Sequence, residues 1–163
     1  MSVGTGTDTH IGTMTANMCS GSSRFTIQPT EGTICAAAEE YNYYRWTSGQ
    51  TSTQTYSIFV KYQLPPTFNN FLDANTIQAV GRISSTTDAA LAFGVYGNTG
   101  TQCGSTTTIA SSANTWTTTS LGGSSETSCG FVAGDIITFK IDMSSRNNAY
   151  AYVSNLMFTM TGK

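Results

Sequence analysis

Apolar and polar positions alternate with a period of two through much of the chain, and no window carries the spacing of an amphipathic helix. The clearest case is residues 54–64. Tyr56, Ile58, Val60, Tyr62 and Leu64 fall on one face, Ser57, Lys61 and Gln63 on the other, and Phe59 is the one apolar residue on that polar side. Pro65 and Pro66 end the run, because proline cannot donate to a ladder. Residues 76–84 place Ile77, Ala79 and Ile83 inward against Gln78 and Arg82 outward. Residues 90–96 put Leu91, Phe93 and Val95 on one face and stop at the turn signal Asn98-Thr99-Gly100. Residues 135–143 turn Ile137, Phe139, Ile141 and Met143 inward. After a turn at Arg146-Asn147-Asn148, residues 150–160 place Tyr150, Tyr152, Leu156, Phe158 and Met160 on one face.

The remaining segments are shorter or more polar. Phe25-Thr26-Ile27 opens a short strand, and Tyr43-Tyr44-Arg45-Trp46 an aromatic-rich one. Residues 104–128 are nearly all Ser, Thr and Gly, broken by Ile109, Trp116 and Leu121; they read as one or two edge strands with long loops, residues 115–121 being the firmer. Only Ala36-Ala37-Ala38-Glu39-Glu40 offers a helical turn or two. Residues 1–24 have no period and predict an extended N-terminal arm, leaving residues 25–163 as the body. About eight strands with turns between them predict an all-β protein, an antiparallel β-sandwich of jelly-roll type. The absence of an internal repeat disfavours a solenoid or propeller.

Composition narrows the function classes. Only 10% of the 163 residues are charged, seven Lys and Arg against nine Asp and Glu, where an ordinary soluble domain carries about 25%. Ser and Thr take over the solubilising role. A net charge of -2 and no cluster of basic residues leave no footprint for a nucleic-acid backbone. With 39% hydrophobic and 11% aromatic residues the chain has material for a core and no signature of disorder. No apolar stretch is long enough to span a bilayer, and the first residues carry no basic and apolar regions of a secretory signal. No membrane partner is expected.

Four cysteines allow three pairings. The local pairing, Cys19 with Cys35 and Cys103 with Cys129, is expected to stabilise by about 3 kcal/mol per bridge; the alternative is four buried thiols. With a single His and no Cys-x-x-Cys, a zinc site has no ready ligand set. None of the ten Asn begins an Asn-x-Ser/Thr sequon, which argues against a eukaryotic secreted glycoprotein. A protein with disulfides but no signal is what a component of a virion surface would look like.

Catalysis has poor material. His10 lies in the arm, where no scaffold would fix it against a nucleophile. Among the carboxylates, Glu39 and Glu40 are adjacent and diverge, Asp73 stands apart, Asp135 follows Ala133-Gly134 at a turn where Asp bonds local backbone, and Asp142 lies at the far end of the same strand. No enzyme activity, metal or cofactor is therefore expected, and no loop offers the oxygen ligands of a calcium site. Aromatic residues hold more promise. Tyr41, Tyr43, Tyr44 and Trp46 crowd one segment, and Trp116 lies among threonines. Rings exposed on a β-sandwich can stack on sugar faces; alternatively they fill the core or a subunit interface, which is the expectation for Tyr44 and Trp46. Trp116, Tyr41 and Tyr43 are the candidate glycan-binding residues.

Two C-terminal runs, Gly134-Asp135-Ile136-Ile137-Thr138-Phe139-Lys140-Ile141-Asp142 and Ala151-Tyr152-Val153-Ser154-Asn155-Leu156-Met157-Phe158, resemble the closing strands of jelly-roll domains in bacteriophage virion proteins: capsid decoration proteins, head fibres and tail-fibre tips. The strand ended by Leu64-Pro65-Pro66 is similar in style, and the resemblance spans residues 43–163. It is architectural and carries over no site residue. It implies a non-enzymatic structural subunit on a virion surface, a homo-oligomer, with a trimer as the guess. A major capsid or other virion protein would be its partner. The arm, including Met1, His10 and Arg24, would dock on a neighbouring copy or on the shell beneath. The same pattern suits carbohydrate-binding modules, which gives the alternative: a sandwich that binds surface glycans at a fibre tip or beside an enzyme.

Overall fold

A computed structural model describes residues 2–5, 11–17, 43–72, 77–109, 112–121 and 128–163. Five strands make one antiparallel sheet, here sheet A, in the order β1 (Ser2–Thr5), β4 (Gln54–Gln63), β10 (Ile136–Ser145), β7 (Ala89–Tyr96), β8 (Gln102–Thr108). Five more make sheet B, in the order β2 (Thr13–Asn17), β3 (Tyr43–Thr47), β11 (Tyr150–Met157), β6 (Gln78–Ile83), β9 (Thr117–Ser120). A two-stranded ribbon, β5 (Phe68–Phe71) with β12 (Met160–Gly162), completes the molecule. The described residues contain no helix, and the all-β sandwich is the architecture the alternation predicts. Residues 25–27 and 36–40 lie outside the described residues.

Hydrophobic burial between the two sheets dictates this arrangement. Ile58 and Val60 of β4, Leu91, Phe93 and Val95 of β7, and Ile137, Phe139, Ile141 and Met143 of β10 all point inward and are buried. They meet Trp46, Ala79, Ile83, Ala151 and Val153 from sheet B. A strand half covered by a partner sheet must alternate, and these do. One end of the sandwich is plugged by rings: Phe139 stacks on Phe158 at 5.5 Å, Tyr62 meets Phe158 edge-on at 4.9 Å, and Phe68 meets Phe71 at 5.2 Å. At the opposite end Trp46 stacks on Tyr56 at 5.2 Å and donates its indole N–H to the Gln54 carbonyl. Ser48 and Ser145 are the buried polar residues there, and both are satisfied: the Ser145 hydroxyl accepts from the Ser48 N–H and donates to the Ala149 carbonyl.

Two expectations are redrawn. The segment expected to reach outward as an arm lies, where it is described, on this chain's own sheets: β1 pairs with β4 and β2 with β3. Edge pairing needs backbone N–H and C=O groups rather than apolar alternation, so a Gly- and Thr-rich stretch can supply it. Met1, His10 and Arg24 lie outside the described residues. The second concerns β11. Tyr150 and Tyr152 do not share a face with Leu156 and Phe158; Ala151 and Val153 point inward instead. The register against β6 shifts between Val153 and Leu156, and the extra residue moves the following side chains to the opposite face. Downstream of it Leu156, Phe158 and Met160 pack on the core.

Cys103 and Cys129 form a disulfide that ties the start of β8 to the loop before β10. Cys19 and Cys35 lie outside the described residues. Of the two residues expected in the core or at a subunit interface, Trp46 is buried in the core and Tyr44 is exposed on the single chain.

Candidate functional site

Each sheet has an outer face, and the two faces differ in kind. On sheet B, Tyr43 and Arg45 come from β3, Tyr150 and Tyr152 from β11, Arg82 from β6, and Trp116 from the residue before β9. The structure thus brings together two of the three aromatic candidates: the rings of Tyr43 and Trp116 are 6.1 Å apart. Tyr41 lies outside the described residues. Tyr152, which the alternation assigns to the inside, completes the group at 5.2 Å from Tyr43 and 6.1 Å from Trp116. Arg45 stands over the ring of Tyr150 at 5.2 Å and Arg82 over that of Tyr152 at 5.6 Å, while the Arg45 Nε donates to the Thr15 hydroxyl. Burial pushes the Tyr152 phenol above its ordinary value, and the charges of Arg45 and Arg82 pull it back only in part. Tyr43 is 4% exposed. Its ring face is therefore spent on its neighbours and cannot be offered to a ligand. This side of the sandwich is a layer of rings and guanidinium groups packed on one another.

Sheet A carries a groove. It lies over the ends of β4, β10 and β7, has a volume of about 420 Å3, and is lined by Phe59, Lys61, Tyr96, Asn98, Thr138 and Lys140 together with the turn glycines Gly97 and Gly100. The register explains the grouping. Phe59 lies opposite Lys140, which lies opposite Gly94; one row on, Lys61 lies opposite Thr138, which lies opposite Tyr96. Phe59 and Tyr96 are thus two strands apart, about 10 Å at the usual strand spacing. Gly94 leaves room beside the Tyr96 ring. None of the described residues lining the groove is acidic.

Tyr96, Asn98 and Lys140 are each held by their own contacts. The Tyr96 hydroxyl donates to Gln102 at 3.3 Å, and the Gln102 amide donates to Thr106 at 3.0 Å. Asn98 is clamped at both ends of its amide: Nδ2 donates to Asp135 Oδ1 and Oδ1 accepts from the Ile136 N–H, each at 2.6 Å. Lys140 is anchored by Asp142 at 3.1 Å, and Asp142 accepts from the Ser57 hydroxyl at 2.6 Å. Gly100, at the rim, has a φ of 77°, which suits glycine in the tight β7–β8 turn. An apolar ring and a phenol with hydroxyl, amide and ammonium groups beside them form a surface that can stack on a sugar ring and bond its hydroxyls.

The carboxylates are separated. Asp135 accepts from the Val132 N–H in its turn, the local role expected of it, and Asp142 is engaged on the outer face of sheet A. Glu39, Glu40 and Asp73 lie outside the described residues. Among the described residues no three His, Cys, Asp or Glu side chains gather as a metal would require. The groove residues were readable in part, since Phe59 is the apolar exception on the polar side of its strand. What the sequence does not carry is that β10 inserts between β4 and β7 and so sets Tyr96 on the same face.

No family model and no curated protein matches the sequence. Solved structures do match in fold. TmCBM61, solved in complex with beta-1,4-galactotriose, superposes over 99% of this chain and 88% of its own, with a TM-score of 0.50 at 8% identity. The enzymatically active domain of bacteriophage CBA120 tailspike protein 4 covers 98% of this chain with a TM-score of 0.51 at 11% identity, the match spanning 19% of that chain. A carbohydrate-binding module described as belonging to the beta-sandwich super family covers 96% of this chain and 56% of that one, with a TM-score of 0.49 at 10% identity. The class is therefore a β-sandwich, an architecture this chain shares with TmCBM61 and with the phage tailspike domain.

Proposed function

We propose that this chain is a non-catalytic glycan-binding β-sandwich that takes a saccharide in the groove on sheet A. The observation that carries the reading is the placement of Phe59 and Tyr96 on the outer face of sheet A, with Thr138 and Lys140 between them and Lys61 beside Phe59. Buried aromatic residues need no explanation beyond packing, but two rings at the walls of an open groove do. The ligand's ring faces would stack on Phe59 and Tyr96, and its hydroxyls would meet Thr138, the Asn98 amide and the lysines. Sharing a fold with TmCBM61 supports the reading without carrying over that module's ligand.

A second reading keeps the domain on a virion, as a structural subunit of a decoration, fibre or tailspike protein that assembles into a symmetric oligomer. The fold likeness to the tailspike domain favours it, and the two readings are compatible if the sandwich is the part that contacts a host glycan. Mass measurement in solution tests the oligomer.

Glycan-array screening followed by titration of the best ligand tests the groove. Phe59→Ala and Tyr96→Ala should each weaken binding about tenfold, with the fold intact by circular dichroism. Trp116→Ala should leave affinity unchanged. Binding that depends on Trp116 and ignores Phe59 would move the site to sheet B, and a chain that binds no saccharide would end the reading.

A further inference from the structure

The charges around the groove are unevenly matched. The described cations of the molecule are Arg45, Lys61, Arg82, Lys140, Arg146 and Lys163. Arg45 and Arg82 stand over tyrosine rings, Arg146 is paired with Asp88, and Lys140 is paired with Asp142. Lys61 is exposed and has no carboxylate partner among the described residues. Register places it diagonally from Lys140, one on β4 and the other on β10, a separation of about 7–8 Å between backbone positions. Two of the chain's three lysines thus line one groove that no described acid enters, in a protein whose net charge is -2. Asp142 does not cancel the pattern. It lies a row beyond the groove, accepts from Ser57, and holds the Lys140 ammonium in place.

Building on the proposed glycan reading, we infer that the groove selects acidic saccharides, a uronate carboxylate pairing with Lys61 and sensing the fixed charge of Lys140. The aromatic walls supply affinity for a sugar ring of any kind, whereas an exposed lysine without a partner adds attraction only for an anion. A uronic acid bears its carboxylate at the edge of the pyranose ring. A ring stacked on Phe59 would direct that edge along β4 toward Lys61, the next outward residue on the same strand. Exposed ion pairs contribute modestly and are screened by salt, so selectivity should be moderate and salt-dependent.

The test is calorimetric titration of the intact chain with uronate trimers (galacturonate-, glucuronate- and mannuronate-linked), each against its neutral methyl ester. Methylation removes the charge and keeps the sugar. At least one acid should bind about fivefold more tightly than its ester in low salt, with the gap closing near 0.5 M salt. Lys61→Gln should close the gap by weakening the acid more than the ester, and Lys61→Arg should keep it. Esters that bind as well as acids in every pair, or a gap that survives Lys61→Gln, would overturn the inference while leaving glycan binding intact. Failure of acids, esters and neutral array glycans alike would overturn both. Lys61 is on the surface, so the variant is expected to fold, and an unchanged circular dichroism spectrum and melting temperature report that it has.

Discussion

Gly81 and Gly94 occupy similar places in β6 and β7 and differ in what surrounds them. A Cβ at Gly81 would lie 2.6 Å from Leu91 Cδ1 and 2.8 Å from Ile109 Cγ2, inside the packed core. Gly81→Ala should therefore cost about 1–3 kcal/mol by overpacking, seen as a lower urea midpoint. At Gly94 the nearest atom, on Tyr96, would be 3.5 Å away, an ordinary contact, so Gly94→Ala should unfold at the same urea concentration as the natural chain. Asp88 offers a different kind of test. Hydrogen bonds from the Arg146 guanidinium and the Asn147 amide hold its carboxyl below the ordinary carboxylate range. A depressed value in the folded state means stability that is present above the unfolded value, about pH 4, and that is lost as pH falls through the folded one. Asp88→Asn should thus melt below the natural chain at neutral pH, and the two melting temperatures should converge in acid. Equal melting temperatures at neutral pH would show that the bonds contribute nothing.

Among the elements, the Cys103–Cys129 bridge closes a loop across a sequence separation of 26. The chain-entropy argument assigns such a loop about 3–4 kcal/mol, so the Cys103→Ser, Cys129→Ser double variant should lose that much by denaturant titration. β4 and β10 are readable from alternation because polar residues occupy most of their outward positions, and β7 from the period-two spacing of Leu91, Phe93 and Val95 among small residues. β11 is not. Tyr150 and Tyr152 count as apolar in any pattern, yet cation–π contacts with Arg45 and Arg82 make the outer face of sheet B a suitable place for them. The register shift after Val153 then reverses the phase, and no residue type in Ser154-Asn155 announces it. β1 and β2 are hidden for another reason: an edge strand is specified by its neighbour's free backbone groups, which no local sequence shows. The site divides along the same line. Phe59 and Lys61 are visible as outward residues of one strand, but their meeting with Tyr96 depends on strand order.

At the scale of the whole molecule, the scarcity of charge takes on a location. Four of the described cations lie on the two outer faces, and each face treats them differently: sheet B stacks two of them on rings, sheet A sets two beside a groove. Sheet B packs most of its outer rings on one another, while sheet A leaves a groove. The two tryptophans fall on this division in a useful way. Trp46 is 2% exposed between the sheets, while Trp116 is half-buried in the ring layer outside sheet B. The chain therefore carries two fluorophores that report on different layers. In a Trp116→Phe protein the remaining emission follows the core alone, and in a Trp46→Phe protein it follows the outer layer, so an ordinary fluorimeter can tell loss of the interior from rearrangement of the surface without any added dye.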